Sequence, residues 1–184
     1  MNFKSLLASA SAAIVVSAGA AQAANPMVGG AEMYDTKTIV ENAVNSADHT
    51  TLVAAVQAAD LVETLSGEGP FTVFAPTNDA FGMLAKGTVE DLLKPENKAA
   101  LTKVLTCHVV AANAMSDAIA GMIADDGGAH PVPTVGGCTL TAMMEDGKIK
   151  LQDERGRTAT VTVADVKQSN GVIHVIDAVL LPAK

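Results

Sequence analysis

Aromatic residues are scarce in this chain. Its 184 residues include no Trp, one Tyr and four Phe, so aromatics make up only 3% of the sequence. Sites that bind sugars or single-stranded nucleic acid stack their ligands on exposed aromatic rings. Three of the Phe fall within residues 71–81, in a segment that we expect to be buried. The composition therefore argues against a stacking site, and it predicts a core built from Ala, Val, Leu, Ile and Met.

Positive charge is also scarce. The chain carries 12 Lys and Arg against 20 Asp and Glu, which gives a net charge of −8, and the basic residues form no cluster. A strongly acidic surface repels phosphate backbones, and only a basic patch overcomes that repulsion. We therefore expect no nucleic acid among the partners of this protein.

After residue 23 the sequence has no apolar run long enough to cross a membrane. Before that point, Lys4 precedes an Ala-rich apolar stretch and Ala21-Gln22-Ala23 has the small-x-small form of a signal peptidase site. This pattern predicts a signal peptide over residues 1–23; an N-terminal membrane anchor is the alternative. Because Lys4 is the one charged residue removed, cleavage takes the net charge from −8 to −9. We expect an exported, periplasmic or extracellular protein whose mature form does not span a membrane.

The order of the sequence patterns predicts an α+β fold. Residues 24–36 have no period and are interpreted as a loose N-terminal leader. From residue 37 the spacing of apolar residues is mostly helical, interrupted by strands at Phe71–Ala75 and Thr106–Val110. After Cys138 the period changes to two, which is typical of a β-meander. Helices first and a meander last differ from the regular alternation of a doubly wound sheet.

Local signals mark helix starts and an exposed loop. Thr50 and Ser116 have side chains that can cap the helices they precede. The sequence DDGGAHPVPTVGG, residues 125–137, is rich in Gly and Pro and is predicted to be a loop.

The segment FTVFAPTNDAFGML places polar residues between phenylalanines. It is predicted to be a strand that ends at Pro76 and is followed at once by a helix. A side-chain oxygen of Thr77 or Asn78 can accept from the free N–H groups of the first turn, and Asp79 suits the positive end of the helix dipole. Phe81 then faces back toward the strand. We therefore interpret these polar residues as structural rather than catalytic.

Three segments together resemble the fasciclin (FAS1) domain: FTVFAPTNDAF, the His-Val-Val at residues 108–110 and NGVIHVIDAVLLP. The resemblance runs from about Thr38 to Pro182 and predicts a fasciclin-like domain over residues 37–184. It implies a β-wedge with helices packed beside it. It also implies a class of secreted or surface proteins known for adhesion and protein–protein contact, without an established catalytic centre. The family often has Tyr-His where this chain has Cys107-His108, so the Tyr of that pair is absent here.

The histidines offer little metal chemistry. None of the four stands at metal-ligand spacing with another, and we expect neither a metal site nor a cofactor. His108 has two interpretations: a buried side chain held by a hydrogen bond, or a solvent-facing residue that binds a partner. His174 shares a strand face with Val172 and Ile176, so we expect it in or near the core.

The clearest prediction from residue chemistry concerns the two cysteines, Cys107 and Cys138. An even number of Cys in an exported protein favours a disulfide, and two free buried thiols are the alternative.

These observations favour a non-catalytic module that recognises a protein or cell-surface component. The chain has neither a Gly-x-Ser-x-Gly elbow nor a glycine-rich phosphate loop, so we do not expect an enzyme. Two alternatives remain: a carrier of a small apolar ligand in the cell envelope, and a small enzyme with an unrecognised site. The stretch just after the strand start at His108 and the loop 125–137 are the candidate contact segments, because both are expected to be exposed.

Cleavage of the signal peptide predicts that the mature protein begins at Ala24. Intact-mass measurement of exported material checks this. A mass that retains residues 1–23 would contradict the assignment.

Overall fold

A computed structural model describes residues 25–183 of the chain. The predicted signal peptide, residues 1–23, lies outside the described residues and stays a prediction. In the described part, no helix combines the length and the apolar character that crossing a membrane requires.

The helices between residues 25 and 183 are short, because Gly, Pro and capping residues interrupt the helical pattern every five to ten residues. Single-turn 3₁₀ segments precede two of them, at Ala47–His49 and Pro95–Asn97. The α-helices are α1 (Ile39–Ala43), α2 (Thr50–Ala58), α3 (Val62–Ser66), α4 (Asn78–Gly82), α5 (Thr88–Leu92), α6 (Lys98–Thr106) and α7 (Ser116–Asp125).

The strands described by the structure form a small hairpin and one large sheet. The hairpin consists of β1 (Met27–Val28) and β2 (Ala31–Glu32). The large sheet contains β3 (Phe71–Pro76), β4 (Val109–Val110), β5 (Ala129–Pro133), β6 (Thr139–Glu145), β7 (Lys148–Gln152), β8 (Thr158–Gln168) and β9 (Gly171–Ile176).

The large sheet has the order β4-β3-β9-β8-β7-β6-β5 and is nearly closed. All its neighbouring strands are antiparallel except β3 and β9, which run parallel as the second and third strands from the β4 edge. Its two edges meet through the turn that follows β5, where the Val135 N–H donates to the Val109 carbonyl at 2.8 Å. The sheet therefore curls into a wedge rather than remaining flat.

Alternate residues of β3 and β9 pack into two separate cores. Val73 and Ala75 of β3 face the helices α1 to α6, as do Ile173 and Val175 of β9. The intervening positions, such as Phe74 and Ile176, face the meander and α7. This alternation follows from the strand geometry, in which successive side chains point to opposite faces. Both faces of β3 and β9 are buried, so these strands contain almost no exposed residue.

The turn before β9 fixes how closely β9 approaches β3. Asn170 accepts from the Ile39 N–H at 3.0 Å and donates to the carbonyls of Leu65 and Gly67 at 2.8 and 2.9 Å. A Cβ atom on Gly171 would overlap the carbonyl oxygen of Phe71. Only glycine fits at this start of the parallel pairing.

The N-terminal leader differs from its prediction. Residues 27–32 form the β1–β2 hairpin, and Val28 and Met33 are buried in the same core as α1 to α6. The segment is packed rather than loose, because its few large apolar side chains cover one end of that core.

Two element boundaries also differ. The predicted loop 125–137 contains β5, which pairs with β6 along its whole length. The predicted strand Thr106–Val110 is shorter, because Thr106 still belongs to α6 and only Val109–Val110 pairs with β3.

The predicted caps Thr50 and Ser116 do not cap their helices. Each begins its helix and receives a cap from elsewhere: Asn78 accepts from the start of α2, and the Asp165 carboxylate accepts from the N–H and hydroxyl of Ser116. The capping groups therefore come from other parts of the chain.

A disulfide joins Cys107 to Cys138, as predicted. The bond connects the end of α6 to the start of β6, with the two Cα atoms 5.4 Å apart, and both side chains are buried. It lies beside the backbone hydrogen bonds that close the sheet, including Gly136 N–H to the Thr106 carbonyl at 3.0 Å. The disulfide therefore stabilises the seam of the wedge, the place where the turn after β5 meets β4 and closes the sheet.

Removing the disulfide is expected to reduce the free energy of unfolding by about 3–4 kcal/mol in the loop-entropy model. Urea unfolding of the Cys107→Ala/Cys138→Ala variant, beside wild type with and without reductant, checks this. Reductant should leave the variant unchanged. A wild-type midpoint that does not move on reduction would contradict the prediction.

Candidate functional site

The polar residues after β3 form a joint between a strand and two helices. Pro76 ends β3, and Thr77 is the N-cap of α4, with its hydroxyl oxygen accepting from the Ala80 N–H at 3.3 Å. Of the two residues that the sequence offered as the cap, Thr77 and Asn78, the structure uses Thr77 for α4.

Asn78 caps a different helix. Its side-chain oxygen accepts from the Thr51 N–H at 3.0 Å and from the Thr50 hydroxyl at 3.1 Å, at the start of α2. Its amide donates to the Ala47 carbonyl at 2.8 Å. Asn78 thus joins α4 to the start of α2 and to the segment that precedes it, with both its oxygen and its nitrogen bonded within the fold.

The two other residues of this motif differ in exposure. Asp79 is exposed in the first turn of α4, and its side chain makes no hydrogen bond to another described residue. Phe81 is buried in the core beneath α1 to α6. Among residues 77–81, Asp79 is thus exposed, Thr77 and Asn78 are half-buried, and Ala80 and Phe81 are buried.

The structure places the His108 side chain in the core, where it is 2% exposed. Its Nδ1 donates to the Val104 carbonyl at 2.8 Å, and its Nε2 accepts from the Leu180 N–H at 2.9 Å. Burial lowers the pKa of His108 to about 4, so the ring is neutral at pH 7. Of the two interpretations, the structure has the buried one, and a partner at the surface does not reach this ring.

His174 is also buried and neutral. Its Nε2 donates to the Ala114 carbonyl at 2.7 Å, and its Nδ1 accepts from the Asp165 N–H at 3.2 Å. The ring stacks on Phe74 with 5.7 Å between centroids. Burial lowers the pKa of His174, because the charged form would lose its hydration.

Several side chains of residues 153–157 hold the segment after β9, and sequence reasoning missed them, because no local pattern links them to residues 179–183. Asp153 is buried and accepts from the Leu181 N–H at 2.9 Å. Glu154 accepts from the Ala183 N–H at 2.8 Å, while Arg155 donates to the Pro182 carbonyl at 2.7 Å. Arg157 donates to the Val179 carbonyl. With His108, these side chains satisfy backbone groups that have no strand partner.

Between residues 25 and 183, no group of three or more His, Cys, Asp or Glu side chains is arranged to hold a metal ion.

The two candidate contact segments adjoin at the seam of the wedge. Residues 111–113 are exposed, and Thr72 holds their base by accepting from the Ala114 N–H at 2.8 Å and donating to the Ala112 carbonyl at 2.6 Å. Val135, whose N–H bonds to Val109, leaves half of its surface exposed. At the seam, exposed side chains are therefore carried by a backbone that hydrogen bonds hold in place.

The edge strand β5 is a poor template for another strand. Pro131 and Pro133 have no N–H group and cannot donate to an added strand. Contact at this edge would therefore use side chains rather than strand addition.

The wedge, its helices and its central motif define a family. The family model of the Fasciclin domain matches residues 47–182, and the chain belongs to the fasciclin domain family. The predicted α+β fold, a fasciclin-like β-wedge with helices packed beside it, is confirmed.

Known proteins extend this assignment. The chain is 53% identical over 145 residues to Protein sll1483 of Synechocystis sp., covering 79% of this chain and 73% of that protein. It is 35% identical over 131 residues to the transforming growth factor-beta-induced protein ig-h3 of Sus scrofa, covering 71% of this chain but 17% of that longer protein. A solved FAS1 domain pair from the insect cell adhesion molecule Fasciclin I matches 79% of this chain and 51% of its own, with a TM-score of 0.70 and 17% identity.

Replacing Asn78 by Ala is expected to lower the free energy of unfolding by about 1–2 kcal/mol, because the start of α2 loses its cap. The matched control is Asp79→Ala, whose effect should stay within about 0.5 kcal/mol since its side chain is solvated. Chemical denaturation of both variants checks this. Equal effects, or unchanged stability of Asn78→Ala, would contradict the role assigned to Asn78.

Acid is expected to destabilise the fold through His108. Its pKa is about 4 in the folded state and about 6.5 when unfolded. Between these values the unfolded chain binds the extra proton, so stability is full above pH 6.5 and falls as the pH drops toward 4. The loss from this residue is roughly 3 kcal/mol.

The measurement is urea unfolding at several pH values for wild type and His108→Gln. The variant should be less stable at pH 7, and its deficit should shrink as the pH falls to 4. A deficit that is constant across this range would rule out His108 as the titrating group.

Proposed function

We propose that this chain is an exported, non-catalytic module that recognises another protein or a cell-surface component and mediates adhesion. Its membership of the fasciclin domain family carries the proposal. One solved protein that shares its fold comes from an insect cell adhesion molecule. Extending that role to this chain is an inference from the shared fold.

The composition favours a protein partner over other classes. The net charge of −9 after cleavage opposes attachment to nucleic acid or to anionic lipid by simple electrostatics. Few aromatic side chains are available for a sugar-stacking surface. A protein surface, by contrast, can be recognised through loops held on a rigid scaffold.

The seam of the wedge is the proposed contact surface. It combines the exposed residues 111–113, the exposed Val135 and the proline-containing edge β5. The disulfide and the backbone bonds at Val109 and Thr106 hold this surface in one conformation. A rigid contact surface loses less conformational entropy on binding.

Export to the periplasm or the extracellular space is part of the proposal. Residues 1–23 have the form of a signal peptide, and the Cys107–Cys138 bond suits an oxidising compartment.

The test compares partner capture by three forms of the mature protein after cross-linking to envelope and host-surface extracts. Val135→Arg places a charge in the proposed contact surface and should reduce recovery of a specific partner about tenfold. Met83→Arg is the matched control, because Met83 is 66% exposed after α4 and lies outside the seam. Its recovery should equal that of wild type.

Two results would overturn the proposal. One is a deletion strain with normal surface attachment, combined with no partner that Val135→Arg weakens. The other is steady turnover of a small substrate by the purified domain, abolished by a single polar substitution.

A further inference from the structure

A cavity of about 50 Å³ lies between the β1–β2 hairpin, helices α1 and α2, and the central strands β3 and β9. Its wall is almost entirely apolar and includes Met33, Leu52, Val73 and Ile173. A volume of this size accommodates roughly three to five non-hydrogen atoms, since one water needs about 10–15 Å³.

One buried nitrogen in this wall is left without a partner. His49, 3% exposed, lines the cavity, and its Nδ1 lies 2.8 Å from the Ser46 hydroxyl. Its Nε2 has no hydrogen-bond partner of normal geometry among residues 25–183. The Ala75 carbonyl lies near enough to raise the pKa of His49, but burial lowers that pKa more, and the ring is neutral at pH 7. A buried polar atom in this situation is costly to leave unpaired.

His49 differs in this respect from the other two buried histidines. His108 and His174 each use both ring nitrogens to pair backbone groups. His49 pairs only its Nδ1. Its Nε2 remains unpaired, and His49 is one of the residues that line the cavity.

From this juxtaposition we propose that the cavity binds a small, uncharged, mostly apolar molecule that carries one hydroxyl group, with the hydroxyl hydrogen-bonded to His49 Nε2. A hydroxyl can donate or accept, so it suits either tautomer of His49. The apolar wall excludes a charged group, because burying a charge without a partner costs far more free energy than apolar contacts in the cavity supply. Water suits the site less well, since a buried water typically makes about three hydrogen bonds.

Entry is available at the outer wall of the cavity. Val40 and Ala43 of α1 and Val53 of α2 line it while remaining half-exposed. α1, which carries two of these residues, is a helix of only five residues. These side chains belong to helices, so entry past them would not require the sheet to move.

The exposed side chains of the proposed contact surface lie outside the cavity, although Val109, whose carbonyl accepts from the Val135 N–H, also lines it. The cavity lining includes neither Val135 nor residues 111–113. Ligand binding and partner recognition can therefore be lost separately.

The first experiment uses wild-type protein, residues 24–184, labelled at its methyl groups and titrated at pH 7 with 1-butanol. Saturable shifts confined to the methyl groups of residues such as Met33, Leu52 and Val53 are expected. Butylammonium and butyrate are the matched probes of similar size, and they should produce no saturable shift at these methyl groups. Equal responses to all three probes, or no response to 1-butanol, would overturn the proposal.

The second experiment assigns the hydroxyl contact to His49. His49→Phe keeps a ring of similar size but removes the nitrogen, and it should weaken 1-butanol binding at least fivefold. His130→Phe is the matched control, because His130 pairs with Asp126 outside the cavity, and it should bind as wild type does. Unchanged binding by a folded His49→Phe would refute the assignment. If this variant does not fold, the three-probe comparison on wild type still decides the proposal.

Discussion

The parallel pairing of β3 with β9 sets residues from Phe71 to Pro76 against residues from Gly171 to Ile176. Each strand is buried on both faces, so this pair divides the molecule into a core beneath the short helices and a core beneath α7. The hairpin, the meander and the helices all pack against one side or the other. Because the helices are too short to be stable alone, their persistence depends on the surface that β3 and β9 present.

Short helices and a curled sheet leave many backbone groups without regular partners, and distant side chains satisfy them. Asn78 serves α2, Asp165 serves α7, and His174 pairs with backbone on both of its ring nitrogens. The bonds of Asn78 to Thr51, of Asp165 to Ser116 and of His174 to Ala114 join elements that are remote in the sequence. Polar side chains in this protein therefore help to fix how the elements are arranged, while burial of apolar residues supplies most of the driving force for folding.

Local sequence patterns were enough to predict the strand-to-helix joint after Pro76 and the meander after Cys138, and the even number of Cys in a protein expected to be exported predicted the disulfide. Those features depend on residues that are close in the chain or on chemistry that has few alternatives. The caps at Thr50 and Ser116 were wrong, because a local signal does not reveal a carboxylate or amide that arrives from another element. The strand within 129–133 was missed because its prolines favour a loop, and only the pairing with β6 makes it a strand. His49 was overlooked for a similar reason, since nothing near it in the sequence indicates the cavity.

The central position of β9 has a consequence for how the chain is made. Residues 171–176 complete both cores, yet they are synthesised long after the β3 residues against which they pack. Until they are available, β3 has an open side and the apolar faces of the early helices have no finished surface to cover. Folding must therefore wait until residues 171–176 have been synthesised. Until then, the growing chain stays unfolded and accessible to chaperones or to a translocation channel.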